Sequence, residues 1–220
     1  MHQFHPAPQA CLGKSDIIDF HCPDVSCKAA SLAAASASEL ELIEKTYVFV
    51  RDGIAHSIDC KGTAVTCRAS DVLRVGQGLC YAKAHLLAAL LRANGIATGF
   101  CYQLLGLTDE RDPQRVLHGF NAVWLNELQQ WRRVDARGNK AGVDAQFFPH
   151  GPEQLAFTVH PQHGEVDYPH IFADPDPGVV ACLLAPVSLP QVLPLLPQGL
   201  SLLPGPGQGP PSAPVFPHRY

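Results

Sequence analysis

The apolar positions in the first part of the chain predict a helix over residues 38–50. Apolar side chains recur there every three or four positions, which places them on one face of an α-helix. Ser38 followed by Glu41 is the pattern of a capping box, in which two side chains bond the free N–H groups at a helix start. The predicted buried stripe consists of Leu40, Ile43, Tyr47 and Val50.

A second helix is predicted over residues 80–94. This run is rich in strong helix formers and is followed by Gly95, a residue that favours the backbone conformation found just after helix C-termini. Its predicted apolar face consists of Ala84, Leu87 and Leu91. Cys80 therefore lies in the first turn of this helix, directly after the glycine-containing turn at residues 76–79.

Three strands are predicted after the second helix, because β-branched and aromatic residues dominate there. The first strand covers residues 96–105, and segments 118–125 and 131–135 form a hairpin about a polar connection. Between the first strand and the hairpin, residues 108–114 are charged, contain a proline and are predicted as a loop.

The hairpin brings a histidine and an aspartate onto one face of the sheet. A turn centred on Asn126 and Glu127 pairs residues whose numbers add up to 253, and His118 and Asp135 are such a pair. Side chains directly opposite each other in an antiparallel pair share a face and lie close together. The loop length leaves the register open, and a slip of one residue would separate them.

Length and composition predict one globular domain that is not specialised for nucleic acid. The chain has 220 residues, of which 46% are hydrophobic, and 16 Lys and Arg against 20 Asp and Glu give a net charge of −4. Nucleic-acid binding proteins are normally basic. No run of 18 apolar residues or signal-peptide pattern is present, so we expect no membrane span and a cytoplasmic location.

Proline usage divides the chain into three predicted segments. Residues 1–14 are expected to be a flexible N-terminus, residues 15–185 the folded domain, and residues 186–220 a flexible tail rich in proline and glycine. The tail holds ten of the twenty prolines and only one charged residue, Arg219. Proline lacks an N–H and fixes φ, which favours extended polyproline II segments. Such a tail could also dock on a partner domain.

The eight cysteines do not predict a disulfide framework or a zinc site, because no export signal and no Cys-x-x-Cys pair are present. We therefore expect no cofactor. A metal site stays open as an alternative at two groups of residues. These are His21, Cys22 and Cys27, and His56, Cys60 and Cys67.

Cys80 is the candidate nucleophile. The positive end of the helix dipole favours a thiolate in the first turn, and the free backbone N–H of Cys80 offers a site for an oxyanion. A cysteine nucleophile needs a histidine base and an acceptor that orients it, and His118 and Asp135 suit these roles. Gln77 is a candidate second oxyanion donor. Tyr81 and Trp124 are candidate residues lining the site.

These motifs resemble the transglutaminase-like superfamily, in particular its small bacterial members. The resemblance covers about residues 38–182 and rests on five segments: 51–57 (RDGIAHS), 78–84 (GLCYAKA), 90–96 (LLRANGI), 118–122 (HGFNA) and 131–139 (WRRVDARGN). It implies an α+β, papain-like fold in which a catalytic helix packs on an antiparallel sheet. It also implies that Cys80 is the nucleophile, His118 the base and Asp135 the residue that orients the base.

The implied function is acyl transfer or hydrolysis at an amide of a protein or peptide, through a thioester. The amide would be a peptide bond or a glutamine side chain. Tyr81 stands where animal transglutaminases have tryptophan, and calcium dependence is not expected. Three alternatives stay open: a non-catalytic interaction module on the same fold, a Cys/His metal protein, and an arylamine acyltransferase.

Overall fold

The computed structural model describes residues 5–106, 114–185 and 188–202. The helices are α1 (Pro23–Ala34), α2 (Glu39–Gly53), α3 (Ala69–Val75), α4 (Cys80–Ala93), α5 (Pro177–Leu184) and α6 (Leu189–Val192). The strands are β1 (Ala55–His56), β2 (Gln77–Gly78), β3 (Thr98–Gly106), β4 (Arg115–Leu125), β5 (Gln130–Val134) and β6 (Val166–Asp167). Within these ranges no helix has the length and apolar character needed to cross a bilayer.

The main sheet is antiparallel and has the strand order β5-β4-β3-β6. Helix α4 packs against β3 and β4, while α1, α2 and α3 surround the rest of it. A second, two-stranded sheet joins β1 to β2 in parallel. The predicted fold class, an α+β core with a helix packed on an antiparallel sheet, is therefore confirmed.

Helix α4 is the centre of the molecule. The sequence predicts one apolar face, but every residue from Tyr81 to Arg92 is buried. The difference arises because three helices and the sheet cover all sides of α4, so its polar residues are buried as well. Gly95 follows the helix at φ +76°, which confirms the predicted C-terminal glycine.

The buried polar side chains of α4 all bond backbone carbonyls from other parts of the chain. The Lys83 ammonium donates to the carbonyls of Arg51 and Ile54, at 3.0 and 2.5 Å. Nδ1 of His85 lies 2.8 Å from the Cys67 carbonyl. Arg92 is bonded in the same way to the carbonyls of Gly13, Thr98 and Ala173. A buried polar group without such a partner would destabilise the fold, and these bonds instead fix the surrounding loops on α4.

Helix α2 begins at the predicted position, but the Glu41 carboxylate accepts from a different N–H group than a capping box requires. The Ser38 hydroxyl accepts from the Glu41 N–H at 3.2 Å, as expected of an N-cap residue. The Glu41 carboxylate accepts from the Ala37 N–H at 2.6 Å and not from the N–H of Ser38. The buried residues of α2 are Ile43, Thr46, Tyr47 and Val50, whereas Leu40 is only partly buried.

The predicted hairpin is present, but its register differs by two residues. Strands β4 and β5 pair Asn121 with Val134 and Leu125 with Gln130, so paired residue numbers add up to 255 and not 253. The turn contains residues 126–129 and is centred one position later than predicted. A shift by two residues preserves the face of each side chain. His118 and Asp135 therefore share a face as diagonal neighbours and are not directly opposite.

Both terminal segments are folded where the structure describes them. Residues 8–11 form a 3-10 turn, and Cys11, within the predicted flexible N-terminus, is fully buried. Residues 188–202, assigned to the tail by their prolines, form α6 and a 3-10 turn, and Leu189 and Val192 enter the core. Proline in the first turn of a short helix is compatible with these elements, because the N–H that proline lacks has no partner within the helix there. Residues 203–220 and most of the predicted loop 108–114 lie outside the described residues.

The buried Asp176 carboxylate links α5 to the segment 188–202. Its Oδ1 atom caps α5, and its Oδ2 atom accepts from two N–H groups at the end of that segment. The four donors are Gly178 at 2.9 Å, Val179 at 3.3 Å, Ser201 at 2.7 Å and Leu202 at 3.2 Å.

We expect Asp176→Ala to lower the free energy of unfolding by about 2–4 kcal/mol, because it removes a helix cap and leaves one buried and three partly buried donors unpaired. Urea unfolding measures this. The exposed Asp16 provides the control substitution Asp16→Ala. Equal unfolding midpoints for the two variants would show that Asp176 does not hold this segment.

Candidate active site

Cys80 is the first residue of α4 and is held close to β1. The preceding residue, Leu79, has extended backbone, and no described side chain caps this helix start. The first backbone N–H groups of a helix have no partner within the helix, so the N–H of Cys80 is available to a ligand. Strand β2 ends two residues before Cys80, and its Gly78 pairs with His56 of β1.

The His118 imidazole is bonded to the Asp135 carboxylate. Their Nε2 and Oδ2 atoms are 2.7 Å apart, and both side chains are buried. Asp135 also accepts from the N–H groups of Arg137 and Ala156, each at 3.1 Å. The His118 ring stacks on Phe120 and meets Phe157 edge-on. These contacts fix the ring, and within the described part of the chain no carboxylate bonds its Nδ1 atom.

His118 and Cys80 meet at an open edge of the sheet. Strand β5 pairs only with residues 121–125 of β4, so it does not cover the part of β4 that carries His118. The start of α4 lies against this part, since the Tyr81 hydroxyl donates to the Leu117 carbonyl. Cys80 and His118 line one cleft of about 660 Å³. The structure thus brings together the three residues that the sequence singles out.

The charges of the site favour a protonated His118. Burial opposes the charge, but Asp135 and Cys80 outweigh it and raise the pKa of His118 to about 10. Burial would likewise raise the pKa of Asp135, but the His118 charge and the backbone donors hold it below its usual value. At neutral pH the pair is therefore an imidazolium and a carboxylate, with the imidazolium beside the Cys80 sulfur.

His56 is a second buried histidine in the cleft, and its place there was not foreseen from the sequence. It is 8% exposed, and its Nδ1 atom has no hydrogen-bond partner among the residues that the structure describes. Burial and the Arg137 charge lower the pKa of His56 to about 3, so it stays neutral beside the charged His118. From the sequence, His56 follows the predicted helix 38–50 and is a candidate residue only in a metal site with Cys60 and Cys67. No local signal reveals the short parallel pairing with β2 that places it next to Cys80.

Of the other predicted site residues, only Tyr81 lines the cleft. Gln77 is not among the described residues that line it, because its side-chain oxygen lies 3.2 Å from the Cys60 sulfur. Trp124 stacks edge-on with Trp131 in a different cavity. It lies six residues along β4 from His118, which is about 20 Å in an extended strand. The geometry therefore does not support roles for Gln77 as an oxyanion donor or for Trp124 in lining the site.

The described residues contain no cluster of three or more His, Cys, Asp or Glu that could hold a metal ion. In the second group considered from the sequence, Cys67 is buried, and Cys60 bonds Gln77. Near His56, the Asp59 carboxylate binds Arg137 and Lys140 instead. Burial opposes the charge of Asp59, but the two cations hold its pKa down, at about 2.

The α+β fold that carries these residues agrees with the comparison to known proteins. The model of the transglutaminase-like superfamily matches residues 28–136. Residues 28–136 of the chain therefore belong to the transglutaminase-like superfamily. No curated protein matches the chain at a significant level.

Solved structures with a similar fold include the periplasmic domain of TgpA from Pseudomonas aeruginosa, with 20% identity, a TM-score of 0.45 and coverage of 60% of this chain and 48% of that one. A candidate cysteine protease from Cytophaga hutchinsonii is 17% identical, with a TM-score of 0.46 and coverage of 57% of this chain and 40% of that one. A transglutaminase (TGase) structure is 15% identical, with a TM-score of 0.40 and coverage of 68% of this chain and 42% of that one. The chain thus spans less than half the length of each of these proteins.

We expect the two buried histidines to titrate in opposite directions. Both start from an ordinary pKa of 6.5, and His118 shifts to about 10 while His56 shifts to about 3. The stability contributed by His118 is therefore complete below pH 6.5 and is lost as the pH rises through 10. That contributed by His56 is complete above pH 6.5 and is lost as the pH falls toward 3.

An NMR titration of the ring protons measures this directly, with His118→Gln and His56→Gln used for assignment. At pH 8 the His118 ring should still be charged, and at pH 5 the His56 ring should still be neutral. Titration of both rings near pH 6.5 would contradict the electrostatic description of the site.

Proposed function

We propose that the protein is a cysteine-dependent enzyme that cleaves or transfers an acyl group at an amide of a protein or peptide. The proposal is supported chiefly by one observation: the buried His118 ring, bonded to Asp135, lies beside the thiol at the start of α4, where the Asp135 and Cys80 charges raise the pKa of His118. This is the arrangement that an activated cysteine nucleophile requires.

In the first step the Cys80 thiolate attacks the amide carbonyl carbon, and a C–S bond forms. The carbonyl oxygen gains negative charge and accepts a hydrogen bond from the backbone N–H of Cys80, which a helix start leaves free. His118 then donates its proton to the nitrogen, the C–N bond breaks, and the amine leaves. Asp135 keeps the His118 ring oriented throughout, as its bond at 2.7 Å indicates.

In the second step the acyl group leaves Cys80. Neutral His118 takes a proton from water, the hydroxide oxygen attacks the thioester carbonyl, and the C–S bond breaks to regenerate the thiolate. An amine in place of water gives transfer, and both outcomes use the same residues. His56 presents a neutral, polar ring to the cleft during both steps.

A cytoplasmic location and a docking role for the tail stay predictions.

The proposal predicts that Cys80 reacts first with iodoacetamide, although it is not the most accessible thiol. Cys27 and Cys60 are exposed, whereas Cys80 is only partly exposed. At pH 6 we expect Cys80 to react at least about tenfold faster than either, because only Cys80 lies beside an imidazolium. Mass spectrometry of the digested protein gives the rate at each cysteine.

The same measurement on variants separates an enzyme from the alternatives. His118→Ala should abolish the fast reaction, and Asp135→Asn should slow peptide turnover by on the order of 10² or more. His160→Ala, at an exposed histidine of the same cleft, is the matched control and should change neither. Slow labelling of all cysteines, including Cys80, at rates that depend only on their exposure would overturn the catalytic proposal and favour an interaction module.

A further inference from the structure

The cleft at Cys80 has an apolar side next to the reacting residues. On the His118 face, Leu105 and Val116 are cross-strand partners, and Val116 lies two residues from His118. Phe157 contacts the His118 ring at 5.0 Å between centroids. These residues line the cleft together with Leu117 and Leu196. Side chains of this kind gain free energy by burying the apolar part of a ligand.

Leu196 is contributed by a part of the chain that lies outside the family match at residues 28–136. It is 7% exposed and follows the 3-10 turn Leu193–Leu195. The next residue, Pro197, accepts a hydrogen bond at 2.8 Å from the N–H of Leu117, the residue before His118. Leu196 is therefore placed at the edge of β4 by a backbone bond adjacent to the site.

Two further contacts hold the segment that carries Leu196. At its start, the Leu189 N–H donates to the Thr63 carbonyl at 3.0 Å. At its end, the Ser201 N–H donates to the Asp176 carboxylate at 2.7 Å. The segment that carries Leu196 is thus held at both ends and in the middle, so the part of the cleft that Leu196 lines keeps a constant shape. A cleft of constant shape discriminates between substrate side chains of different size.

We infer that Leu196 determines substrate specificity by closing an apolar subsite for the side chain next to the reacting carbonyl. The substrate class is then a peptide with an aliphatic residue, such as leucine, on the acyl side of the cleaved bond. A glutamine side chain has no branch beside its carbonyl, so this subsite favours peptide-bond cleavage over reaction at glutamine. The inference rests on the proposed function of Cys80.

Chloromethyl ketones test the subsite because they alkylate a reactive cysteine without needing turnover. The carbon–chlorine bond breaks, a carbon–sulfur bond forms, and chloride leaves. We expect the N-acetyl-leucine reagent to modify Cys80 about tenfold faster than the N-acetyl-glycine reagent. Leu196→Trp, which fills the subsite, should remove this preference, and Leu196→Ala should shift it toward the N-acetyl-phenylalanine reagent.

Leu195→Trp is the matched control, because Leu195 is 57% exposed and immediately precedes Leu196. It should keep the wild-type preference. Iodoacetamide, which carries no side chain, should label Cys80 equally in every variant that retains the fold. Selective labelling of Cys80 without a preference for leucine, or a preference unchanged in both Leu196 variants, would overturn the inference alone. Absence of selective labelling by any reagent would overturn the proposed function and the inference with it.

Discussion

The Asp135 carboxylate is fully buried, and an unpaired charge in that position would be strongly destabilising. Three donors from different parts of the chain meet it: the His118 ring and the N–H groups of Arg137 and Ala156. The loops that carry these N–H groups must therefore pack against β4 for the protein to fold. The same requirement orients His118 and keeps it charged, so the stability of the fold and the chemistry of the site depend on one set of bonds.

Helix α4 is the second element that fixes the positions of the site residues. Its buried Lys83 is bonded to the carbonyls of Arg51 and Ile54, which end α2 and lead into β1. Burial and the Arg137 charge lower the pKa of Lys83 to about 8, and the two carbonyls compensate part of that cost. Because β1 carries His56, the bonds of Lys83 also position His56 relative to Cys80. The polar residues of α4 thus align the start of the helix with its neighbours.

The elements that local patterns define could be predicted from the sequence. Helix-forming residues before Gly95, the Ser38 cap and the hairpin around a polar turn all depend on contacts near in sequence, and the structure contains each of them. The shared face of His118 and Asp135 was predictable as well, because strand alternation is insensitive to a shift of two residues. The register itself was not, since the loop length allows more than one turn.

What the sequence could not reveal depends on long-range contacts. Gln77 is close to Cys80 along the chain, yet the pairing of β2 with β1 directs it toward Cys60. His56 enters the cleft through that same pairing. Leu196 lies in a segment whose prolines suggested a tail, and only its packing against β4 and Asp176 makes it part of the domain. Composition describes such a segment poorly, because short proline-containing turns can pack as well as regular elements.

The central claim is that Cys80 carries the acyl group during the reaction, and trapping the acyl-enzyme tests this most directly. The protein is mixed with a peptide p-nitrophenyl ester, quenched in acid within the first turnover, digested and analysed by mass spectrometry. The account predicts one acyl group on Cys80, removed by hydroxylamine and absent from Cys80→Ser. An acyl group on another cysteine, or p-nitrophenol release by Cys80→Ser at the wild-type rate, would contradict it.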